Sequence, residues 1–313
     1  MLSRIADSLF WLNRYMERAD GMLRVVRTSY IFALDKDISK DITWRPVLET
    51  YTTCKEEDII KMENDSAAVL KKIILDADNN NSLKIIINRA RENARGVQDH
   101  ITKEVWEIVN QLYHMINSTA LAKKLLSEQA IETLDTLTRQ MVLYTGITDI
   151  TMPRGSGWNF MNIGKYIERC METLELTDRQ YSIIHYNLTD QQDVLFWRTL
   201  LLSLSGYELH LKTYRSININ QNVLHQVIIN KNFTRSVIYS LTRIDRYLED
   251  IVTENKSEEN QALIRCFGRL YSHVKFIDFD SLDALTLQHF LEKVKKDLLE
   301  FSMRLGQNFF SYS

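Results

Sequence analysis

Apolar residues at the start of the chain recur at alternating intervals of four and three: Ile5, Leu9, Leu12, Met16, Ala19, Leu23, Val26 and Tyr30. Such a seam marks a helix with one buried face, sustained here for about seven turns. A second seam runs through Phe160, Ile163, Ile167, Cys170, Leu174 and Thr177. Sliding the chain along itself superposes these positions on Leu9 through Val26. The same slide pairs Tyr15 with Tyr166 and Glu17-Arg18 with Glu168-Arg169. Later segments follow with small drifts: WRPVL at 44–48 with WRTLL at 197–201, and VLKKII at 69–74 with VLHQVI at 223–228. Arg89 and Arg243 fall in step with the second of these. A nearly constant displacement is the mark of tandem duplication with small loop changes.

The pattern predicts long helices over 3–34 and 157–185. Shorter ones are expected over 42–54, 65–76, 82–98, 102–117 and 120–145, then 190–204, 206–216, 221–230, 234–254, 257–275 and 283–308. Thr102, before an acidic run, and Thr189, followed by Gln192, read as helix starts. Thr234 and Ser236 read as caps of another. TMPRGSG at 151–157 is the clearest internal break. The expectation is an all-α helical bundle of two tandem pseudo-repeats of about 150 residues, packed as one compact unit. Their spans are 1–150 and 151–313.

Composition agrees with this and narrows the chemistry. Only two prolines and nine glycines in 313 residues leave little punctuation for hairpins. A formal net charge of −2 gives no long-range pull on nucleic acid or an anionic membrane. No apolar run is long enough to span a bilayer, and the N-terminus lacks the apolar block of a signal peptide. A cytoplasmic protein is therefore expected, with neither nucleic acid nor membrane as partner. Cys54, Cys170 and Cys266 are scattered, without metal-ligand or disulfide spacing, and Cys170 lies on the apolar seam as a core residue. The segment DADNNN at 76–81 starts like a calcium loop, but Ile87 stands where the bidentate glutamate belongs. It reads as a turn. No phosphate loop, zinc-binding helix or nucleophile elbow is present, and neither metal nor cofactor is expected.

The chemistry that remains is cationic. Adjacent helical residues point about 100° apart, so Glu17 and Arg18 must each seek another partner, as must Glu168 and Arg169. One reading makes them inter-helix salt bridges, which fix register more than they stabilise. The other makes Arg18 and Arg169 part of a floor for a carboxylate or phosphate, since a guanidinium fork binds two oxygens at once. In that reading the glutamates orient the arginines or meet a substrate amine. Candidates for the same floor are Arg89, Arg91, Glu92, Asn93 and Arg95 on one predicted helix, Arg154 before a helix start, and Arg235 at another. Their plainer readings are a solvated helix face and helix-initiating turns.

The segments MLSRIADSLFWLNRYMERADGMLRVV, RARENARGV with EVWEIVN, and MPRGSGWNFMNIGKYIER together resemble the bacterial alpha-E family, all-helical proteins named for a Glu-Arg motif. YELHLKTYR and FTRSVIYSL resemble later family blocks, so the likeness covers most of the chain. The block before the second long helix is matched by Met152, Arg154, Gly157 and Trp158, which adds Trp158 to the candidates. Thr234 stands where the family pattern has proline. The resemblance implies neighbours: a circularly permuted ATP-grasp-type ligase, a transglutaminase-like peptidase and sometimes an amidohydrolase-like protease. It implies making, modifying or trimming a small peptide, and no reaction for the helical member itself. The expected function is an accessory or substrate-binding protein with a Glu/Arg-lined site for an anionic ligand. The alternatives are an enzyme acting on a peptide or acyl-phosphate through that cluster, and a purely structural scaffold.

Overall fold

The computed structural model describes residues 3–34, 43–189, 192–215, 218–253, 257–279 and 281–310. Every regular element among them is helical. The chain divides into two compact units. One is Trp11–Pro153; the other joins Met1–Phe10 to Arg154–Ser313. Helix α1 (Ser3–Leu34) begins in the second and continues in the first.

In the Trp11–Pro153 unit, α1 is followed by α2 (Arg45–Tyr51), α3 (Glu56–Met62) and α4 (Ser66–Leu70), which runs into a π-turn, Lys71–Leu75. Then come α5 (Leu83–Gly96), α6 (Lys103–Ile116), α7 (Thr119–Leu125) and α8 (Ala130–Thr151). The seam of α1 is core: Leu9, Leu12, Met16, Ala19, Leu23 and Val26 are all at most 2% exposed. Thr102 caps α6, its hydroxyl accepting from the Val105 N–H. The helix expected over 120–145 is two helices. Ser127 separates them, its hydroxyl donating to the Lys124 carbonyl and accepting from the Gln129 N–H in place of helix bonds. Helix α3 was not expected; Glu56, Glu57 and Asp58 in its first turn complement the positive end of its dipole. The turn at 76–81 is present, and the Asn79 amide donates to the carbonyls of Tyr51 and Lys72.

The other unit contains α9 (Ser156–Ile183), α10 (Val194–Ser203), α11 (Tyr207–Thr213), α12 (Ile219–Ile229), α13 (Val237–Thr253), α14 (Glu258–Lys275) and α15 (Ala284–Phe309). Asn220 joins three of its segments. Its carbonyl accepts from Tyr181, its side-chain oxygen accepts from Trp197, and its amide donates to the Asn187 carbonyl. Helix α10 starts at Val194 with Asp193 as its cap, whereas Thr189 turns back onto Asn187. A carboxylate is the stronger acceptor for the free N–H groups, and this corrects the start read at Thr189 and Gln192. Ser236 caps α13, accepting from the Tyr239 N–H. The expected starts at 42 and 190 and ends at 216 and 254 lie outside the described residues.

Two helices end on left-handed residues. His185 and Tyr186 have φ of 50° and 58° after α9, and Ser205 has φ of 55° after α10. The N–H of Gly206 then reaches back to the Leu201 carbonyl. This position needs glycine for space: a Cβ would stand 2.6 Å from Nε2 of Gln226 and 2.9 Å from Phe233.

Candidate functional site

On α1 the glutamate of the first Glu-Arg pair belongs to a polar stripe at helical spacing: Asn13, Glu17, Asp20 and Arg24. Asn13 is 4% exposed and Glu17 5%, so the stripe is buried beside the apolar seam up to Asp20, with Arg24 half-buried at its end. It is built into the packing. Tyr144 of α8 donates to Oδ1 of Asn13 at 2.5 Å, and Nε of Arg24 meets Oδ2 of Asp20 at 2.9 Å. Burial pushes the Tyr144 hydroxyl well above the ordinary tyrosine range. Arg14 lies over Trp11 at 4.7 Å and Arg18 over Tyr15 at 5.9 Å.

The candidates on α5 are committed locally. Nε of Arg91 donates to Asn110 at 2.8 Å, and its guanidinium lies 4.3 Å from the Tyr113 ring and 5.6 Å from the Trp106 ring. Arg95 pairs with Glu92 at 2.8 Å and stays open to solvent. Asn93 turns its amide onto the Arg89 carbonyl one turn back. Arg91, Glu92 and Arg95 are thus brought together, while Asn93 is spent on its own helix.

The second Glu-Arg pair lies where α9 meets the start of α13. Glu168 is 8% exposed. Nη1 of Arg169 donates to the Thr234 carbonyl, just before α13, and its guanidinium lies 5.2 Å from the Tyr166 ring. The next residue, Arg235, is buried and pairs with Glu172 at 3.2 Å. The Thr173 hydroxyl meets the Arg235 carbonyl at 2.8 Å and the Arg169 carbonyl at 3.0 Å. Tyr166 faces Tyr239 and Tyr247, each at 6.2 Å, and Arg243 donates to the Tyr239 hydroxyl. Burial lifts the Tyr166 hydroxyl to about 12, against the pull of Arg169. Exposed Arg154 stacks on Trp158 at 3.7 Å. Cys170 is fully buried, its thiol pushed far up by desolvation and kept unreactive.

Residues 1–310 match the family model Alpha-E, described as a predicted alpha-helical domain with a conserved ER motif. The chain belongs to the Alpha-E family. This Alpha-E chain is similar to an uncharacterised protein of Mycobacterium bovis and another of Mycobacterium tuberculosis, each 24% identical over 282 residues. A third relative, also from M. tuberculosis and uncharacterised, is 23% identical over 282 residues. In each case the match covers 83% of this chain and 31% of the relative, so the chain spans about a third of the curated relatives it matches. No solved structure gives a significant match. No helix of this Alpha-E chain, among the described residues, is long and apolar enough to cross a membrane.

Sequence reasoning on the Alpha-E chain missed Glu172, Tyr239 and Arg243. Glu172 stands one turn beyond Glu168, and Arg243 one turn beyond Tyr239. Those intervals were a usable signal, but which helix they face is a tertiary fact.

Proposed function

We propose that this chain is an accessory helical module of a cytoplasmic system that makes or modifies a small peptide. It works beside a circularly permuted ATP-grasp-type ligase and a transglutaminase-like peptidase. The observation that carries the reading is Alpha-E membership over residues 1–310, joined to the relatives' length. The matched segment is 31% of each relative, so this module occurs together with much additional chain. In this reading the Glu-Arg pairs are framework. Arg169 holds the chain before α13, and the buried Arg235–Glu172 pair holds the same segment one residue on. Arg95 and Arg154 are open to solvent, and in each unit they are where an anionic group of a peptide would be met.

We also read the two units as copies of one ancestral segment. The order of elements supports this. A long helix is followed by two short ones, then by α4 with its π-turn in one unit and α12 in the other. An amphipathic pair (α5 and α6, α13 and α14) follows, and then a long closing helix, α8 or α15. Helix α7 has no counterpart. Val69, Leu70, Ile73 and Ile74 are fully buried, as are Val223, Leu224, Val227 and Ile228. The tryptophan pair is less regular, since Trp44 precedes α2 whereas Trp197 lies inside α10.

The test is copurification of the tagged chain with the ATP-grasp-type ligase encoded beside it. A complex that survives ~0.5 M salt is expected, since an apolar helix face is little screened. Absence of a complex, together with turnover of a peptide or acyl-phosphate by this chain alone that Glu17→Gln abolishes, would establish the enzyme reading instead.

A further inference from the structure

Beside α14 lies an open depression of about 670 Å³, lined by Ala262, Arg265, Gly268, Arg269, Ser272 and, from α15, Arg304. Its size is that of a small-molecule site. Small residues make its floor, and a Cβ placed on Gly268 would meet nothing within 4 Å. Three guanidinium groups make its walls.

Its lining holds three arginines and no acid, while Glu300 and Asp297 of α15 act on Cys266 close by. On α15 two cations have a carboxylate one turn away: Lys293 with Asp297 at 3.2 Å and Arg304 with Glu300 at 2.7 Å. On α14 the rule fails. Arg265 and Arg269 stand one turn apart, like charges on one face, which is mildly unfavourable. Between Glu259 and Asp278 the chain carries no acid, so neither arginine has a carboxylate one turn away on α14. Neither arginine makes a hydrogen bond or ion pair among the described residues. Both are exposed, so holding the fold does not account for them.

We infer that this groove binds a phosphate-bearing small molecule, with Arg265 and Arg269 as forked donors, the N–H groups of Arg304 not held by Glu300 beside them, and Ser272 supplying a hydroxyl. A polyphosphate fits the donor set because the guanidinium groups of Arg265 and Arg269 can each place two parallel N–H groups on one phosphate, and several adjacent charges offset the repulsion along α14. None of its lining residues belongs to a Glu-Arg pair, and the inference does not rest on the function proposed above.

The probe is inorganic triphosphate, titrated calorimetrically into the full chain at ~50 mM salt, where surface electrostatics are little screened. One saturable site is expected. Arg265→Ala and Arg269→Ala should each weaken it at least ~5-fold, and the double variant should remove it; these exposed substitutions leave the circular dichroism spectrum unchanged. Lys103→Ala, on an exposed lysine of α6, should bind as the wild type does. The inference is overturned by the absence of saturable heat, by unchanged affinity in the arginine variants, or by equal loss with Lys103→Ala. Tighter binding of hexaglutamate than of triphosphate would overturn the assignment to phosphate.

Discussion

Arg235 and Glu172 form a deeply buried ion pair, with side-chain exposures of 6% and 15%. Removing the carboxylate takes a countercharge from a buried guanidinium. Glu172→Gln should therefore destabilise its unit by about 3 kcal/mol in urea unfolding. Arg95→Ala should change stability by less than about 0.5 kcal/mol, because its pair with Glu92 is exposed. The cysteines separate in the same way. Cys54 is half-buried, while Cys170 and Cys266 are buried and burial raises both thiols. A thiol reagent added to the native chain should label Cys54 first, and mass spectrometry of the labelled peptides checks the order. At this scale the sequence was informative about burial more than about partners. The seam named Leu9, Leu12 and Met16 as core from spacing alone, whereas nothing local ties Arg235 to Glu172 or Tyr144 to Asn13. Those contacts join residues far apart in the chain, and they exist only after the helices pack.

Helices were the most legible level, because a period near four is written into each of them and caps mark their ends. What escaped were interruptions made by single side chains, Ser127 between α7 and α8 and Asp193 before α10. The turn from α10 into α11 shows how an element is held from outside. His210 of α11 is buried and its Nδ1 lies 2.8 Å from Oε1 of Gln226 on α12; the Gln226 amide donates to the Gly206 carbonyl. Gly206→Ala would push a methyl into this bond and into Phe233, costing about 1–3 kcal/mol by urea titration. Burial lowers the pKa of His210, and of His225 beside it, below the ordinary value of 6.5. A neutral histidine of this kind contributes stability that is fully present above about pH 6.5 and is lost as pH falls through the lowered folded-state value. The unfolding midpoint should be flat from pH 8 to about 6.5 and fall below it. His210→Gln should reduce the slope of that fall.

Across the whole molecule, membership of the Alpha-E family and the all-helical fold agree with each other, and both were within reach of the sequence. The duplication we propose rests on spacing more than on register, since Trp44 precedes α2 whereas Trp197 lies inside α10. Function was the least legible level. The arginines singled out for chemistry largely have structural partners: Asn110 and two aromatic rings for Arg91, Glu172 for Arg235, and the Thr234 carbonyl for Arg169. That pattern marks them as framework, and it leads to a direct measurement. Arg18→Ala and Arg169→Ala should be compared with the wild type by urea unfolding. Midpoints are the quantity to follow, since a chain of two units need not unfold in one step. The account predicts that each variant unfolds at lower urea, by the equivalent of about 1–2 kcal/mol, as expected when a charge-assisted bond or a ring-stacked guanidinium is lost. Unchanged midpoints in both variants, together with loss of a ligand or of turnover, would contradict it and move the Glu-Arg pairs from framework to site.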